Sequence, residues 1–249
     1  MILYEKHTKY SIIKLNNPGK RNALSLELIR QLKEKLVEIK NDDSIKTLII
    51  TGVGKSFCAG VDLKYLNDLR NNSAMENQLD TKNLAALFLM LYNFPKPTIA
   101  AVNGAAIAGG SGLASVCDFI VADNTYAKFG YSEVKIGFIP AIVSIFLINR
   151  IGEGRARQLL ISGDIIDAKE AKDIGFANYL SDDSLKFSVE LAEKLCENSS
   201  LSMNDTKQMI NDISNMNVED AVEYCVQLNT LSRSTEDFRN GIEKFLNKK

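Results

Sequence analysis

The sequence predicts an α/β fold, in which mostly parallel strands alternate with helices and a helical region follows. Over residues 1–180, short apolar segments typical of strands alternate with segments of helical periodicity. That alternation favours right-handed βαβ units. From residue 181 onward, four helical segments follow one another with no strand between them. We therefore divide the chain into a core at 1–180 and a helical region at 181–249.

The core elements can be assigned in order along the chain. Residues 1–15 alternate as a strand does, and Ser25 can cap the helix that follows. The apolar stripe of this helix contains Leu28, Leu32, Leu36 and Ile39. Further strands are predicted at 47–51, 98–102 and 119–122, and a mostly helical stretch at 65–94.

The helical region is predicted to contain helices at 184–198, 201–215, 218–231 and 235–246. Ser202, Asn217 and Ser234 are candidate caps. The last helix carries an apolar face with Phe238, Ile242, Phe245 and Leu246. Such a face fits packing within the chain and packing against a second copy.

Composition excludes several functional classes. Among 249 residues, 30 basic side chains balance 31 acidic ones, so a general electrostatic grip on nucleic acid is not expected. The four cysteines are widely separated, which does not fit a zinc site, and no apolar run is long enough to span a membrane. The N-terminus lacks the pattern of a signal or transit peptide, so a cytoplasmic protein is expected.

The single histidine, His7, lies among charged residues of a predicted strand and is interpreted as a solvated side chain. Ser-His-Asp hydrolysis, Cys-His proteolysis and histidine-rich metal sites are therefore not expected. Any chemistry has to use carboxylates, backbone amides, Tyr, Lys or Ser.

Three segments could carry chemistry. Residues 52–63 and 103–113 each run from a strand into a helix and are rich in small residues, so a ligand could approach their backbone amides closely. Residues 126–140 place Glu133 among aromatic and aliphatic neighbours. That setting would raise the pKa of the carboxyl group and suit it to acid/base work. Taken singly, the segments also fit an ordinary tight loop or a surface glutamate.

In this order and at these spacings, the three segments closely resemble the crotonase (enoyl-CoA hydratase/isomerase) superfamily. Further agreement lies at 22–25, 95–100, 117–118, 151–156, 162–164, 168–171 and 175–176. The resemblance covers nearly the whole chain. Residues 137–144 look most like the branch of methylglutaconyl-CoA hydratase-like proteins, which suggests a substrate from branched-chain amino acid or isoprenoid degradation.

The resemblance implies a spiral of ββα turns with two near-perpendicular sheets. The helical region would then cover the active site and support a homotrimer or a dimer of trimers. It also implies an acyl-CoA substrate, no metal, and no cofactor beyond the CoA moiety of the substrate.

Carried over by motif, the amides of Ala59 and Gly109 would hold the thioester oxygen, and Glu133 would be the acid/base. The CoA path would be lined by Arg21, Ala23, Ala59, Asp62 and Leu63. Lys20 is a candidate phosphate contact. Lys248 and Lys249 could also meet CoA phosphates, although a frayed tail is the preferred interpretation.

One position departs from the two-glutamate pattern of the superfamily, because Gly112 stands where the second catalytic glutamate is usual. Glu133 would then act alone with a water molecule or with another partner, and Asp118, Tyr131, Ser132 and Glu153 are the candidates. Three hypotheses remain open: an enoyl-CoA hydratase for a short or branched acyl group, a Δ3,Δ2-enoyl-CoA isomerase using Glu133 alone, and a CoA-ester-binding homologue with reduced catalysis.

Overall fold

The computed structural model describes residues 1–247, apart from the side chains of Leu63 and Phe245. Lys248 and Lys249, the suggested CoA phosphate contacts, lie outside the described residues. Within the described part of the chain, no helix is both long enough and apolar enough to cross a membrane.

In residues 1–247, ten strands form two sheets. They are β1 (Ile2–Lys6), β2 (Tyr10–Leu15), β3 (Thr47–Gly52), β4 (Ser56–Cys58), β5 (Thr98–Val102), β6 (Ala105–Ile107), β7 (Phe119–Asp123), β8 (Lys128–Gly130), β9 (Ile165–Asp167) and β10 (Tyr179–Ser181). The large sheet has the order β1-β2-β3-β5-β7-β10, and the small sheet has the order β4-β6-β8-β9. Only the β1–β2 and β8–β9 pairs are antiparallel.

The described residues include ten α-helices. They are α1 (Leu26–Lys40), α2 (Leu63–Asp68), α3 (Ala74–Tyr92), α4 (Gly109–Ser115), α5 (Ala141–Ser162), α6 (Ala168–Asp173), α7 (Ser184–Leu195), α8 (Ser200–Ile213), α9 (Val218–Ser232) and α10 (Glu236–Leu246). Helix α5 is kinked at Gly152, whose φ of 77° is not helical. A short 3-10 helix, Ser132–Ile136, follows β8.

From β3 to β8, successive strands belong alternately to the large sheet and the small sheet. Strands β3, β5 and β7 enter the large sheet, and the strand after each of them enters the small sheet before the chain turns into a helix. This is the ββα repeat that the resemblance implies, and it confirms the α/β prediction. It also brings β4, β6 and β8 together as parallel neighbours.

Apolar periodicity explains the main elements of the core. Ser25 accepts a hydrogen bond from the N–H of Leu28 and caps α1, as predicted, and the predicted stripe of α1 is buried. Strand β3 is buried on both faces, as expected for a central parallel strand. Helix α4 is buried along its whole length between the small sheet and α5.

The helical region begins with a helix that belongs to the core. Helix α7 packs on the large sheet, where Ala192 joins the cluster of Ile49, Ile99 and Val121. Helices α8 and α9 bury none of their residues. The predicted cap Asn217 is confirmed, whereas Ser199 and Thr235 take the places predicted for Ser202 and Ser234.

Candidate active site

The three segments singled out in the sequence meet at one edge of the small sheet. Residues 59–62 follow β4, residues 108–109 follow β6, and Tyr131 to Glu133 follow β8. Because these strands are parallel neighbours, their carboxyl ends lie side by side, which is where α/β sheets generally bind ligands. Hydrogen bonds fix the second junction: the N–H of Ala108 donates to the carbonyl oxygen of Gly130 at 2.7 Å.

Two asparagines hold the turn between β3 and β4. The side-chain amide of Asn22 donates to the carbonyl oxygens of Val53 at 3.0 Å and Ser56 at 2.8 Å. From the other side, the amide of Asn103 donates to the carbonyl oxygen of Gly54 at 2.9 Å. Sequence reasoning missed this role of Asn22. The available signal was an asparagine in the turn before α1, since asparagine tolerates the left-handed backbone that it adopts here, with φ of 55°.

The first two loops approach each other backbone to backbone. A Cβ atom at Gly60 would lie 2.7 Å from the carbonyl oxygen of Ile107, and one at Gly110 would lie 1.9 Å from that of Cys58. Neither position can hold a side chain while the loops remain in this arrangement. Small residues are therefore needed to bring the two sets of amides to one place.

The N–H of Gly109 has no acceptor among the described residues. Gly109 is the first residue of α4, so its N–H has no partner within the helix. Ala108 precedes it with φ of 52° and ψ of −122°, a conformation that is costly for alanine and sets the direction of the next peptide. The backbone of Gly109 lies against that of Gly60, since a Cβ built on Gly60 would come within 3.1 Å of the Gly109 nitrogen.

The amide assigned to the first loop needs correction. The N–H of Ala59 donates to the carbonyl oxygen of Arg21 at 3.0 Å, so it is engaged within the protein. Val61, two residues later, forms a parallel β-bridge with Leu24, in which the N–H of Leu24 donates to the carbonyl oxygen of Gly60. The N–H of Val61 has no acceptor among the described residues. Val61, and not Ala59, therefore offers the free donor beside Gly109. The family resemblance assigned this role to Ala59 by motif; the left-handed Gly60, with φ of 79°, turns the backbone between Ala59 and Val61.

Glu133 lies in the short 3-10 helix after β8 and is 8% exposed. Its Oε2 atom is buried and has no hydrogen-bond partner among the described residues. Burial raises the pKa of this carboxyl group. A carboxyl group with a raised pKa and an unpaired oxygen can exchange a proton with a ligand, which is the property expected of a general acid/base.

Two of the four candidate partners of Glu133 are occupied elsewhere. Asp118 accepts hydrogen bonds from the backbone and hydroxyl of Thr98 and from Lys207, so it ties the start of β5 to α8. Glu153 pairs with Arg157 on the exposed side of α5. Ser132 forms no side-chain hydrogen bond in the described structure and is half-buried. Tyr131, two residues before Glu133, is fully buried.

The space beyond Gly112 is filled by apolar side chains. A Cβ atom at this position would lie 2.3 Å from Cγ1 of Val143 and 3.3 Å from Cζ of Phe88. Both side chains are buried in the main core. The surroundings of position 112 therefore fit glycine and not glutamate, because side chains from α3 and α5 fill the space that a carboxylate would need.

The residues proposed to line the CoA path lie along one loop edge. Residues 21–24 run beside 59–61, joined by hydrogen bonds from Ala59 to Arg21 and from Leu24 to Gly60. Ala23 is buried, and Arg21 is exposed. The carboxylate of Asp62 caps α2 at the N–H of Lys64 and pairs with Lys20 at 2.8 Å, which lowers its pKa. Leu63 begins α2, and its side chain lies outside the described part.

Comparison with known proteins identifies the family. The family described as Enoyl-CoA hydratase/isomerase matches residues 5–249 of the chain. The chain belongs to this family. Its fold is that of crotonase structures: the solved enoyl-CoA hydratase of Shewanella pealeana superposes with a TM-score of 0.95 at 26% identity, covering 100% of this chain and 94% of that one.

Curated relatives in the enoyl-CoA hydratase/isomerase family span the same length. A 2,3-dehydroadipyl-CoA hydratase of Escherichia coli is 33% identical, over 100% of this chain and 96% of its own. A crotonyl-CoA hydratase of Syntrophomonas wolfei is 32% identical, over 100% of this chain and 95% of its own. The chain is thus an enzyme of this family, and its candidate site lies at the carboxyl ends of β4, β6 and β8.

Proposed function

We propose that the protein is an enoyl-CoA hydratase acting on a short or branched acyl-CoA. The observation that carries this proposal is the buried, unpaired carboxylate oxygen of Glu133, just after β8 and beside two loops that approach backbone to backbone. Relatives that are matched over 96% and 95% of their length and are named as hydratases support the same reaction class.

The N–H groups of Val61 and Gly109 are the proposed donors to the thioester oxygen. As the β-carbon is attacked, negative charge develops on that oxygen, and donors already in place stabilise it without reorganisation. Loss of one such donor typically costs about 3 kcal/mol in the transition state. Arg21, Ala23, Asp62 and Leu63 are the proposed boundary of the CoA path, and the reaction needs no cofactor beyond the CoA moiety.

Glu133 alone can balance the protons of hydration. In the proposed step, its carboxylate takes a proton from water while the water oxygen bonds to the β-carbon, and the double-bond electrons move to the thioester oxygen as an enolate. The protonated Glu133 then returns a proton to the α-carbon, and the thioester carbonyl re-forms. One carboxyl group thus delivers the elements of water and ends ionised, as it began.

The closed space at Gly112 favours a second candidate, a Δ3,Δ2-enoyl-CoA isomerase. Because Val143 and Phe88 fill the position where a second carboxylate would stand, no acidic side chain at position 112 can help to hold water. An isomerase needs only one group that removes a proton from the α-carbon and returns it to the γ-carbon. Glu133 could perform that transfer on the same enolate.

Product analysis in heavy water separates the two reactions. With crotonyl-CoA or 3-methylglutaconyl-CoA, the hydratase proposal expects a 3-hydroxyacyl-CoA carrying one deuteron at the α-carbon. An isomerase would leave these substrates unhydrated and would convert a β,γ-enoyl-CoA into the α,β form. Absence of hydration with a panel of short and branched enoyl-CoAs, together with such conversion, would contradict the hydratase proposal.

We also propose assembly as a homotrimer or a dimer of trimers. Helices α8 and α9 bury no residue, and α10 leaves Phe238, Ile242 and Leu246 exposed along one face. Together these helices present an apolar surface that a second copy would cover. Light scattering is expected to give three or six times the 27.6 kDa mass of the chain, and a monomer would contradict the proposal.

We also propose a cytoplasmic location. All four cysteines are free thiols, and Cys58, Cys117 and Cys196 are buried. Proteins of oxidising compartments commonly form disulfides, whereas free cysteines are usual in a reducing one. This supports the expectation drawn from the sequence.

A further inference from the structure

Two buried oxygen atoms beside the proposed site lack a hydrogen-bond partner. They are the phenolic oxygen of Tyr131 and Oε2 of Glu133. Tyr131 is 0% exposed and Glu133 is 8% exposed. Nearly all buried polar atoms in proteins are hydrogen-bonded to protein or to water, so two orphans in neighbouring positions require an explanation.

The two oxygens belong to one polar cluster. Tyr131 and Glu133 lie two residues apart at the junction of β8 and the 3-10 helix. Burial raises the pKa of Tyr131 most, and the negative charge of Glu133 raises it further. The phenol is thus close enough to Glu133 to respond to its charge, without a direct hydrogen bond between them.

The other polar groups around the phenol, Ser115 and Arg150, donate hydrogen bonds to other parts of the protein. Ser115 lies beside the phenol, where it lowers the pKa of Tyr131, and its hydroxyl donates to the carbonyl oxygen of Gly112 at 2.8 Å. Arg150, from α5, is the nearby cation, and it donates to the carbonyl oxygens of Cys117 and Phe176 and to the side chain of Asn178. None of these groups forms a hydrogen bond with Oε2 of Glu133, so none of them bridges the carboxylate to the phenol.

We propose that Tyr131 is a positioning residue for Glu133, and that its phenol donates to a water molecule which in turn donates to Oε2. A buried water usually makes two to four hydrogen bonds to groups that are otherwise unsatisfied, and these two oxygens are such groups. The bridge fixes the orientation of the carboxylate and favours its ionised form. The inference rests on the proposed function, since it takes Glu133 as the acid/base.

The test is the pH dependence of kcat/KM in Tyr131→Phe. Removing the phenol leaves the bridging water with one anchor fewer, so the ionised carboxylate loses stabilisation and its pKa rises. Since the ionised form starts the hydration, the acid limb of the profile is expected to move to higher pH, by about one unit. At a pH well above that limb, kcat should recover to near the wild-type value.

Ser11→Ala is the matched control. The hydroxyl of Ser11 is also buried and without a partner, but it lies in β2 of the large sheet. Its removal is expected to leave the acid limb where it is. The pair of variants therefore separates loss of a buried hydroxyl from loss of this particular hydroxyl.

A different pH profile is expected if no water molecule bridges the phenol of Tyr131 and the carboxylate of Glu133. In that case Tyr131→Phe would leave the acid limb unchanged and would raise the melting temperature, because an unsatisfied polar atom is removed. That outcome overturns the inference. If Tyr131→Phe does not fold, a high-resolution crystal structure of the wild type decides: a water within hydrogen-bond distance of both oxygens supports the bridge, and its absence overturns it.

Failure of this inference is distinguishable from failure of the proposed function. An inactive Glu133→Gln together with an unshifted Tyr131→Phe profile would overturn only the role of Tyr131. A fully active Glu133→Gln would overturn the assignment of the acid/base itself.

Discussion

Glu133→Gln is expected to lower kcat by about 100- to 10,000-fold, the usual contribution of a general acid/base. The amide keeps the size of the carboxyl group and removes its ability to accept a proton from water. Acyl-CoA binding should stay within a few-fold of wild type, because the proposed CoA path runs along other loops. Steady-state kinetics with crotonyl-CoA and calorimetric titration with an unreactive acyl-CoA measure the two effects separately.

Glu153→Gln is the control for this variant. Glu153 lies on α5, its side chain is 68% exposed, and it pairs only with Arg157. A surface pair of this kind contributes little to stability, so activity and folding should be unchanged. Full activity in Glu133→Gln would contradict the acid/base role.

Among single glycine-to-alanine changes in the site, Gly110→Ala is expected to reduce stability and activity the most. The new Cβ would lie 1.9 Å from the carbonyl oxygen of Cys58, and 2.7 Å from the carbonyl carbon, which are backbone atoms at the end of β4. The overlap can be relieved only by moving α4 away from β4. We expect a loss of about 3 kcal/mol in the free energy of unfolding, since overpacking against backbone has no flexible neighbour to relieve it.

Activity should fall along with stability in Gly110→Ala. The same movement separates Gly109 from Val61, so that one thioester oxygen can no longer meet both N–H groups. Denaturant unfolding and kcat/KM at a temperature where the variant stays folded measure the two losses. Wild-type activity in the folded variant would show that the spacing of these loops is not critical.

Gly154→Ala is the matched control for the added methyl group. Its Cβ would meet no atom within 4 Å, and the residue lies inside α5. Alanine is a better helix former than glycine, so this variant should be as stable as wild type or slightly more so. The contrast assigns the effect at position 110 to close packing.

Periodicity and turn chemistry were sufficient to predict the elements that local sequence determines. The stripe of α1 with its Ser25 cap, and the largely buried β3, are set by residues within one element. The distribution of strands between two sheets was not accessible in that way. Pairing of β4 with β6 joins residues almost 50 positions apart, and only the resemblance to a known family implied it.

In the candidate site, too, features set by local sequence were predicted, whereas features set by contacts between distant residues were not. Glu133 was assigned from its apolar neighbours and its motif, and Gly109 was assigned from its motif by the family resemblance. Val61 was missed because the direction of an N–H depends on the left-handed turn at Gly60 and on the pairing with Leu24. The filling of the space at Gly112 by Val143 and Phe88 depends on three helices meeting, which no local pattern reveals.

The central claim is that the amides of Val61 and Gly109 converge on one thioester oxygen. A crystal structure with an unreactive acyl-CoA analogue measures this directly. The thioester oxygen should lie about 2.7–3.1 Å from both nitrogen atoms, with Glu133 facing the α- and β-carbons of the acyl group. An analogue whose thioester oxygen contacts neither amide, or is held by other groups, would contradict the account.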